Sequence, residues 1–80
     1  MRNLIMKNYK ALKDNEAILI VMAAEHNARL TMIENGLDFQ DYDNQDLLDS
    51  YIENSIIGTL SSEKYSEDVI AEFASIGIEA

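Results

Sequence analysis

The side chains that could do chemistry in this chain of 80 residues are almost all carboxylates. Fifteen Asp and Glu stand against six Lys and Arg, one His and no Cys. Nucleophilic catalysis of the familiar kinds needs Ser or Cys beside a base, and the one imidazole, His26, lies on a predicted helix seam without a partner of that kind. A zinc site needs more His or Cys ligands than the chain has. We therefore expect that the protein is not an enzyme.

The dense aspartates in the middle of the chain do not form an EF-hand calcium loop. With Asp41 and Asp43 as the first and third ligands, Asp46 falls where glycine is required and Ile52 where a bidentate Glu is required. The three glycines are too far apart for a phosphate-binding loop. We expect no cofactor and no specific metal site.

The charge is divided unevenly along the chain. Residues 1–13 carry four basic side chains and no acid, and residues 34–80 carry twelve acids against Lys64, within a net charge of −9. A body this acidic repels nucleic acid and lipid headgroups and attracts basic protein surfaces. We expect a partner with a basic surface, no direct contact with nucleic acid and no contact with a membrane.

Length and composition predict one helical domain over residues 1–80. Hydrophobic residues make up 48% of the chain, proline is absent and glycine is rare. The longest apolar run, Ala17–Ala24, is far short of the ~20 residues that cross a bilayer, so we expect a soluble, cytoplasmic protein. The predicted fold is an all-α bundle of three to four helices. Because the core of so small a chain stabilises it only marginally, we also expect a homo-oligomer, in the simplest case a dimer.

The first predicted element is a short basic helix over residues 2–13. Its apolar side chains recur at helical spacing: Leu4, Ile5, Tyr9 and Leu12. We expect this helix to pack against the acidic body of its own chain. Packing onto a second protomer and contact with an acidic patch of a partner stay open.

The second predicted helix spans residues 16–34, with Asp14 or Asn15 as its cap and a stop at Asn35-Gly36. A short strand near residues 17–23 is the alternative, since an unbroken apolar run has no decisive period. Steps of four and three residues predict a seam that faces a partner helix. The seam residues are Leu19, Ala23, His26, Leu30 and Ile33.

An acidic linker over residues 36–43 precedes a third predicted helix, which begins at a capping-box-like pair, Asp43 and Asp46, and ends or loosens at Gly58. The apolar face of this helix is Leu48, Ile52 and Ile56, widened by Leu47 and Tyr51. The last predicted helix runs from Ser66 to Gly77. Its predicted buried face is Val69, Ile70, Phe73 and Ala74.

Acidic residues form rows on the third and fourth predicted helices. Asp46, Asp49 and Glu53 follow one another at i, i+3 and i+7, so we expect a row opposite the apolar face. Any one of these acids is explained by a solvated face that keeps a small domain soluble. Solubility needs a net charge of only about 2 to 8 in magnitude, and the twelve acids against one Lys in residues 34–80 exceed it. The predicted partner-binding surface is Asp38, Asp41, Asp43, Asp46, Asp49, Glu53, Glu67, Asp68 and Glu72.

Two stretches, QDLLDSYIENSII and YSEDVIAEFASIGIE, together resemble the overcome-classical-restriction family of phage antirestriction DNA mimics. In that family an acidic helix leads through a tyrosine-bearing link to a helix that ends in a small residue, a glycine, an aliphatic residue and an acid. The resemblance covers residues 45–79. It implies a helical, dimeric, phage-encoded inhibitor in which six acids stand in for phosphates: Asp46, Asp49, Glu53, Glu67, Asp68 and Glu72. Acids are sparser here than in that family, and the basic start has no place in it.

The leading functional hypothesis is a small acidic inhibitor that occupies the basic nucleic-acid-binding site of a host enzyme or defence complex. Phosphates place one charge every ~3.4 Å along a strand, and ordered acid rows can imitate that pattern. The alternative is a structural or regulatory helical module, adaptor or antitoxin-like. Such a module would bind through the Leu48, Ile52 and Ile56 face or through the seam from Leu19 to Ile33.

Overall fold

The computed structural model describes residues 8–79, which contain three α-helices. These are α1 (Asn15–Glu34), α2 (Gln45–Ser62) and α3 (Glu67–Ser75), with one-turn 3-10 helices at Tyr9–Ala11 and Tyr42–Asn44. No strand occurs between residues 8 and 79. The all-α prediction is therefore confirmed, and the alternative of a strand near residues 17–23 is wrong because these residues lie inside α1.

The ends of α1 are fixed by local capping interactions, and the residues that make them were predicted from the sequence. Asp14 caps the helix, and its Oδ1 accepts the N–H groups of Glu16 at 2.8 Å and Ala17 at 3.3 Å. At the other end, Gly36 has a φ of 74°. The N–H of Leu37 reaches back to the carbonyl of Met32 at 2.9 Å, which closes a Schellman motif. The predicted start and stop of this helix are both confirmed.

The predicted N-terminal helix is only partly within the described residues, since its first six positions, 2–7, lie outside them. In residues 8–13 the helix prediction is wrong. Only the single 3-10 turn Tyr9–Ala11 forms, and Leu12 is already extended, with φ −70° and ψ 135°. Leu12 is buried, because this extended conformation lays its side chain in the core.

α1 and α2 lie antiparallel, with α3 beside the start of α1. Glu72 of α3 binds the backbone at Asp14. The pKa of the Tyr65 phenol, just after α2, is raised chiefly by its hydrogen bond to Glu63, and the carboxylate of Glu16 in α1 lies near enough to add to the shift. The end of α2 is therefore next to the beginning of α1. One core runs through all three helices: Leu12, Ala17, Ile20, Val21, Ala24, Ala28, Ile52, Ile56, Leu60, Val69, Phe73 and Ile78.

The buried face of α1 is not the predicted seam. Its buried residues are Ala17, Ile20, Val21, Ala24, Ala28 and Met32, whereas all five predicted seam residues are exposed. Three of the buried residues are alanines, which let the neighbouring helix come close. Within its own chain, α1 therefore turns the predicted seam to solvent.

The apolar face of α2 is confirmed at Ile52 and Ile56, with Leu48 half-buried against the core. The helix continues through Gly58 to Ser62, so the predicted stop at Gly58 is wrong. The N-cap is Asn44, which makes no side-chain cap hydrogen bond, so α2 begins one residue later than the predicted start at Asp43. In α3, Val69 and Phe73 are buried as predicted, but Ile70 and Ala74 are exposed. Gly77, with a φ of 90°, ends that helix in a second Schellman motif.

Replacing Gly58 with alanine is expected to stabilise the protein by about 0.5 to 1 kcal/mol, because glycine inside a helix loses more conformational freedom on folding. A Cβ at this position meets no atom within 4 Å. Urea unfolding followed by circular dichroism measures the gain. Gly36→Ala is the control and should destabilise the protein, since a φ of 74° strains an alanine even though the space is open. Equal effects at the two glycines would contradict the argument.

Candidate acidic interaction surface

Seven of the nine acids of the predicted surface lie near one or the other end of the α1–α2 pair, and Asp49 and Glu53 lie along α2 between them. Asp38, Asp41 and Asp43 lie in the loop that follows α1, and Asp46 opens α2. We call these four exposed residues the loop-end acids. Glu72 of α3 lies instead at the start of α1. Because the 20 residues of α1 extend about 30 Å, one partner patch the size of a single helix end cannot cover both groups.

Two of the loop-end acids shape the loop that carries them. Asp38 Oδ1 accepts the N–H of Gln40 at 2.9 Å, and Asp41 Oδ1 accepts the N–H of Asp43 at 2.9 Å. These are Asx-type turns, in which the side chain replaces a backbone acceptor. The loop is held further by Gln45, whose amide donates to the carbonyls of Phe39 and Asp41. The exposed aspartates are therefore displayed on an ordered turn.

The acid row on α2 does not lie opposite the apolar face, and that prediction is wrong. Asp49 precedes Ile52 by three residues, and because successive helical residues turn by about 100°, the two side chains lie only about 60° apart around the axis. In agreement, Asp49 and Glu53 are half-buried, and only Asp46 of the row is exposed. The row is thus a border between the core and solvent.

Among the three acids of this row, Asp49 has the environment least favourable to an ionised carboxylate. Its Oδ2 atom is buried and has no hydrogen-bond partner. Burial raises the pKa of the Asp49 carboxyl, and the charges of Asp46 and Glu53 raise it further. A carboxylate in this position opposes folding when it is ionised.

Tyr9 lies beside the same carboxylates, which the sequence did not indicate. Burial raises the pKa of its phenol to about 12, and Glu53, Asp49 and Glu25 add to the shift. Tyr9 therefore marks the place where the N-terminal segment, α1 and α2 bring three acids around one aromatic ring. A tyrosine predicted only as an apolar helix residue gave no signal for this.

The alkaline titration of Tyr9 should give a phase near pH 12. In the folded protein its phenol ionises near pH 12, against 10.0 for a free tyrosine. Because the folded pKa is raised, the contribution of Tyr9 to stability is present below pH ~10 and is lost as the pH rises towards 12. The absorbance of the phenolate at about 295 nm, followed against pH in wild type and in Tyr9→Phe, measures the pKa of Tyr9. Loss of a phase near pH 10 rather than 12 would contradict the assignment.

The α3 acids have two different environments. Glu67 and Asp68 are exposed in the first turn of α3, where negative charge is favourable. Glu72 is half-buried, and its carboxylate accepts the N–H of Lys13 at 2.7 Å and the N–H of Asp14 at 2.9 Å. We call this pair of hydrogen bonds the Glu72 clasp. Glu72 thus ties α3 to the start of α1.

One basic residue of α1 approaches the loop. The guanidinium carbon of Arg29 lies 5.8 Å from the centroid of the Phe39 ring, within the range of a cation–π contact. This contact holds the linker against α1 next to Asp38, the first of the loop-end acids. Nothing in the sequence indicated that Phe39 of the linker would have this cationic neighbour.

Within residues 8–79, no three His, Asp or Glu side chains are grouped so that they could hold a metal ion. In the same residues, no helix combines the length and the apolar character needed to cross a bilayer. A scan against protein-family models and searches of curated proteins and of solved structures found no match to this chain.

Proposed function

We propose that this protein is a small, non-enzymatic acidic inhibitor that occupies the basic nucleic-acid-binding site of another protein. The observation that carries the proposal is the group of loop-end acids. Four exposed aspartates stand within nine residues, with no Lys or Arg among them, on a turn held by its own hydrogen bonds. The proposal includes the phage anti-defence role that the family resemblance implies, and a cytoplasmic location where such targets work.

The physical basis is electrostatic. Exposed acids on an ordered turn attract a Lys- and Arg-lined groove over several ångströms and reach it quickly. They need no large ordering step, because Asp38 and Asp41 already fix the turn. Exposed Glu67 and Asp68 give a second acidic end, which a long groove could also contact.

The test begins with immobilised full-length protein and a cell lysate. Captured proteins are identified, and their binding is challenged with duplex DNA and with RNA. We expect a captured protein that binds nucleic acid, that the nucleic acid displaces, and whose affinity falls about tenfold or more between ~50 and ~200 mM salt. Binding that resists both salt and nucleic acid would contradict the proposal.

A matched pair of triple variants tests the surface itself. Asp38→Asn, Asp43→Asn and Asp46→Asn together remove three charges but keep side-chain oxygens that can form the turns. They should weaken partner binding about tenfold or more. The control, Glu16→Gln, Glu63→Gln and Glu79→Gln, makes the same change in net charge at exposed acids elsewhere and should change it less than about threefold. Equal losses in both variants would show only a response to net charge.

A second candidate function is a helical module that binds a partner through an apolar face. The route through Leu48, Ile52 and Ile56 is closed, because Ile52 and Ile56 are in the core. The seam of α1 from Leu19 to Ile33 is exposed and available to a partner, which supports this second candidate function. If it is right, Leu30→Gln with Ile33→Gln abolishes capture of the partner, and the aspartate triple variant binds normally.

A further inference from the structure

The face of α1 that points away from the core is apolar along most of its length. Leu19 is 63% exposed, Met22 58%, Leu30 45% and Ile33 57%. Exposed Ala23 and His26 complete the row, and no charged side chain interrupts it. We call these six residues the α1 stripe. It is about 21 Å long.

The stripe and the buried face lie on opposite sides of one helix. Successive residues turn by about 100°, so the stripe centres near the direction of His26 and the buried face near that of Ala28, about 160° to 200° away. A second helix can therefore approach the stripe without displacing α2. This makes the stripe an available surface for association.

We propose that the stripe packs against the same stripe of a second copy, in a parallel, two-fold symmetric dimer. The alternating steps of four and three residues from Leu19 to Ile33 are the spacing of a two-stranded coiled-coil seam. A two-fold axis along such a seam brings each residue of the stripe to its own counterpart. The inference goes beyond the proposed function, and it would make the stripe unavailable to the second candidate function.

The charges beside the stripe favour the parallel orientation. Arg29 borders the stripe on one side and Glu34 on the other, and both are exposed. In a parallel pair, opposite borders meet, so each Arg29 comes beside Glu34 of the second copy at the i, i+5 spacing of interhelical ion pairs. In an antiparallel pair, like borders meet and this attraction is lost. Glu16, one heptad before Ala23, limits the seam to residues 19–33.

The size of the stripe sets the strength of the dimer. A helix face about 21 Å long and 10 Å wide is well below the ~800 Å² per partner of a standard stable interface. The net charge of −9 on each copy adds repulsion. We therefore expect a weak dimer with a dissociation constant of about 10 to 100 µM, in the range of transient contacts.

Sedimentation velocity of the full chain between about 1 and 500 µM tests the dimer. Wild type should shift from monomer to dimer, and Leu30→Gln with Ile33→Gln should weaken the dimer at least about tenfold. Ile70→Gln, a change at a side chain of matched exposure, 44%, on α3, should leave it unchanged. A protein that is monomeric at ~500 µM, or equal losses in both variants, would overturn the proposal.

A charge-exchange cycle tests the orientation. Arg29→Glu and Glu34→Arg should each weaken the dimer severalfold, and the two together should restore it. Additive losses in the double variant would overturn the parallel arrangement. The melting temperatures of these variants are measured as well, because Arg29→Glu also removes the contact with Phe39, and a loss of stability must be distinguished from a loss of dimer.

Salt separates this inference from the proposed function. Raising salt weakens capture of a basic partner, but it screens the repulsion between two acidic copies and should tighten the dimer about twofold or more. The stripe variants should leave displacement by nucleic acid unchanged, and the aspartate triple variant should leave the dimer intact. Dimerisation that weakens as salt rises would contradict apolar association.

Discussion

Replacing Glu72 with alanine is expected to lower the free energy of unfolding by about 2 kcal/mol, which for a domain of this size corresponds to roughly 8 to 16 °C in melting temperature. The carboxylate is half-buried and accepts two backbone N–H groups, from Lys13 and Asp14. Hydrogen bonds to a charged acceptor are worth more than neutral ones. Removing the acceptor leaves both donors to find water at the junction of α1 and α3.

Thermal and urea unfolding measure the Glu72 effect. Glu72→Gln should fall between wild type and alanine, because the amide keeps one accepting oxygen and directs its N–H₂ at a donor. Asp68→Ala, an exposed acid one turn earlier on α3, is the control and should cost less than about 1 kcal/mol. If Asp68→Ala costs as much as Glu72→Ala, the clasp is not the cause.

The second large effect has the opposite sign. Asp49→Asn is expected to stabilise the folded protein at pH 7 by about 1 kcal/mol, since it removes an ionised group that is half-buried next to two other acids. The folded pKa of this group lies above its ordinary value of 3.8. Its ionisation therefore opposes folding at neutral pH, and that penalty disappears as the pH falls through the raised folded pKa to below 3.8.

Urea titrations of wild type and Asp49→Asn across pH 3.5 to 8 (roughly, the range that spans carboxyl ionisation) show the sign directly. The gap between the two proteins should be largest at neutral pH and should narrow in acid. Glu79→Gln, which neutralises an exposed acid after α3, should show no comparable gap. A gap that widens in acid would mean that Asp49 is stabilised in its ionised form.

These two effects change how the acidic surface is to be tested. Asp49 borders the core and Glu72 holds two elements together, so a loss of binding in either variant could come from the fold itself. The loop-end acids are exposed, and their replacement by asparagine can preserve the turns. They therefore give the cleaner test of the proposed function.

Sequence reasoning predicted the helices well where local chemistry decides them. Asp14 and Gly36 bound α1, and Ser66 and Gly77 bound α3, because caps and left-handed glycines act within one turn. It failed at residues 8–13, where a helical pattern was overridden. Lys13 and Asp14 give their N–H groups to Glu72, almost sixty residues away in the chain, so no local signal could show it.

The choice between the two apolar faces of α1 was also beyond the sequence. Both have helical spacing, and the face with larger side chains, from Leu19 to Ile33, was predicted to be buried. The fold buries the alanine-rich face instead, because small side chains permit close packing with α2. For Asp49 the information was present, since its angle from Ile52 follows from helix geometry alone.

The Glu72 clasp also bears on the order in which the chain folds. The two residues joined by its second bond are 58 positions apart, whereas most contacts in the described chain join residues fewer than 12 positions apart. Closing so long a loop costs entropy before any contact repays it, so this bond forms late, after α1 and α2 have paired. Weakening it should speed unfolding and leave the refolding rate almost unchanged, and the end of α3 would be the first part of the described chain to open.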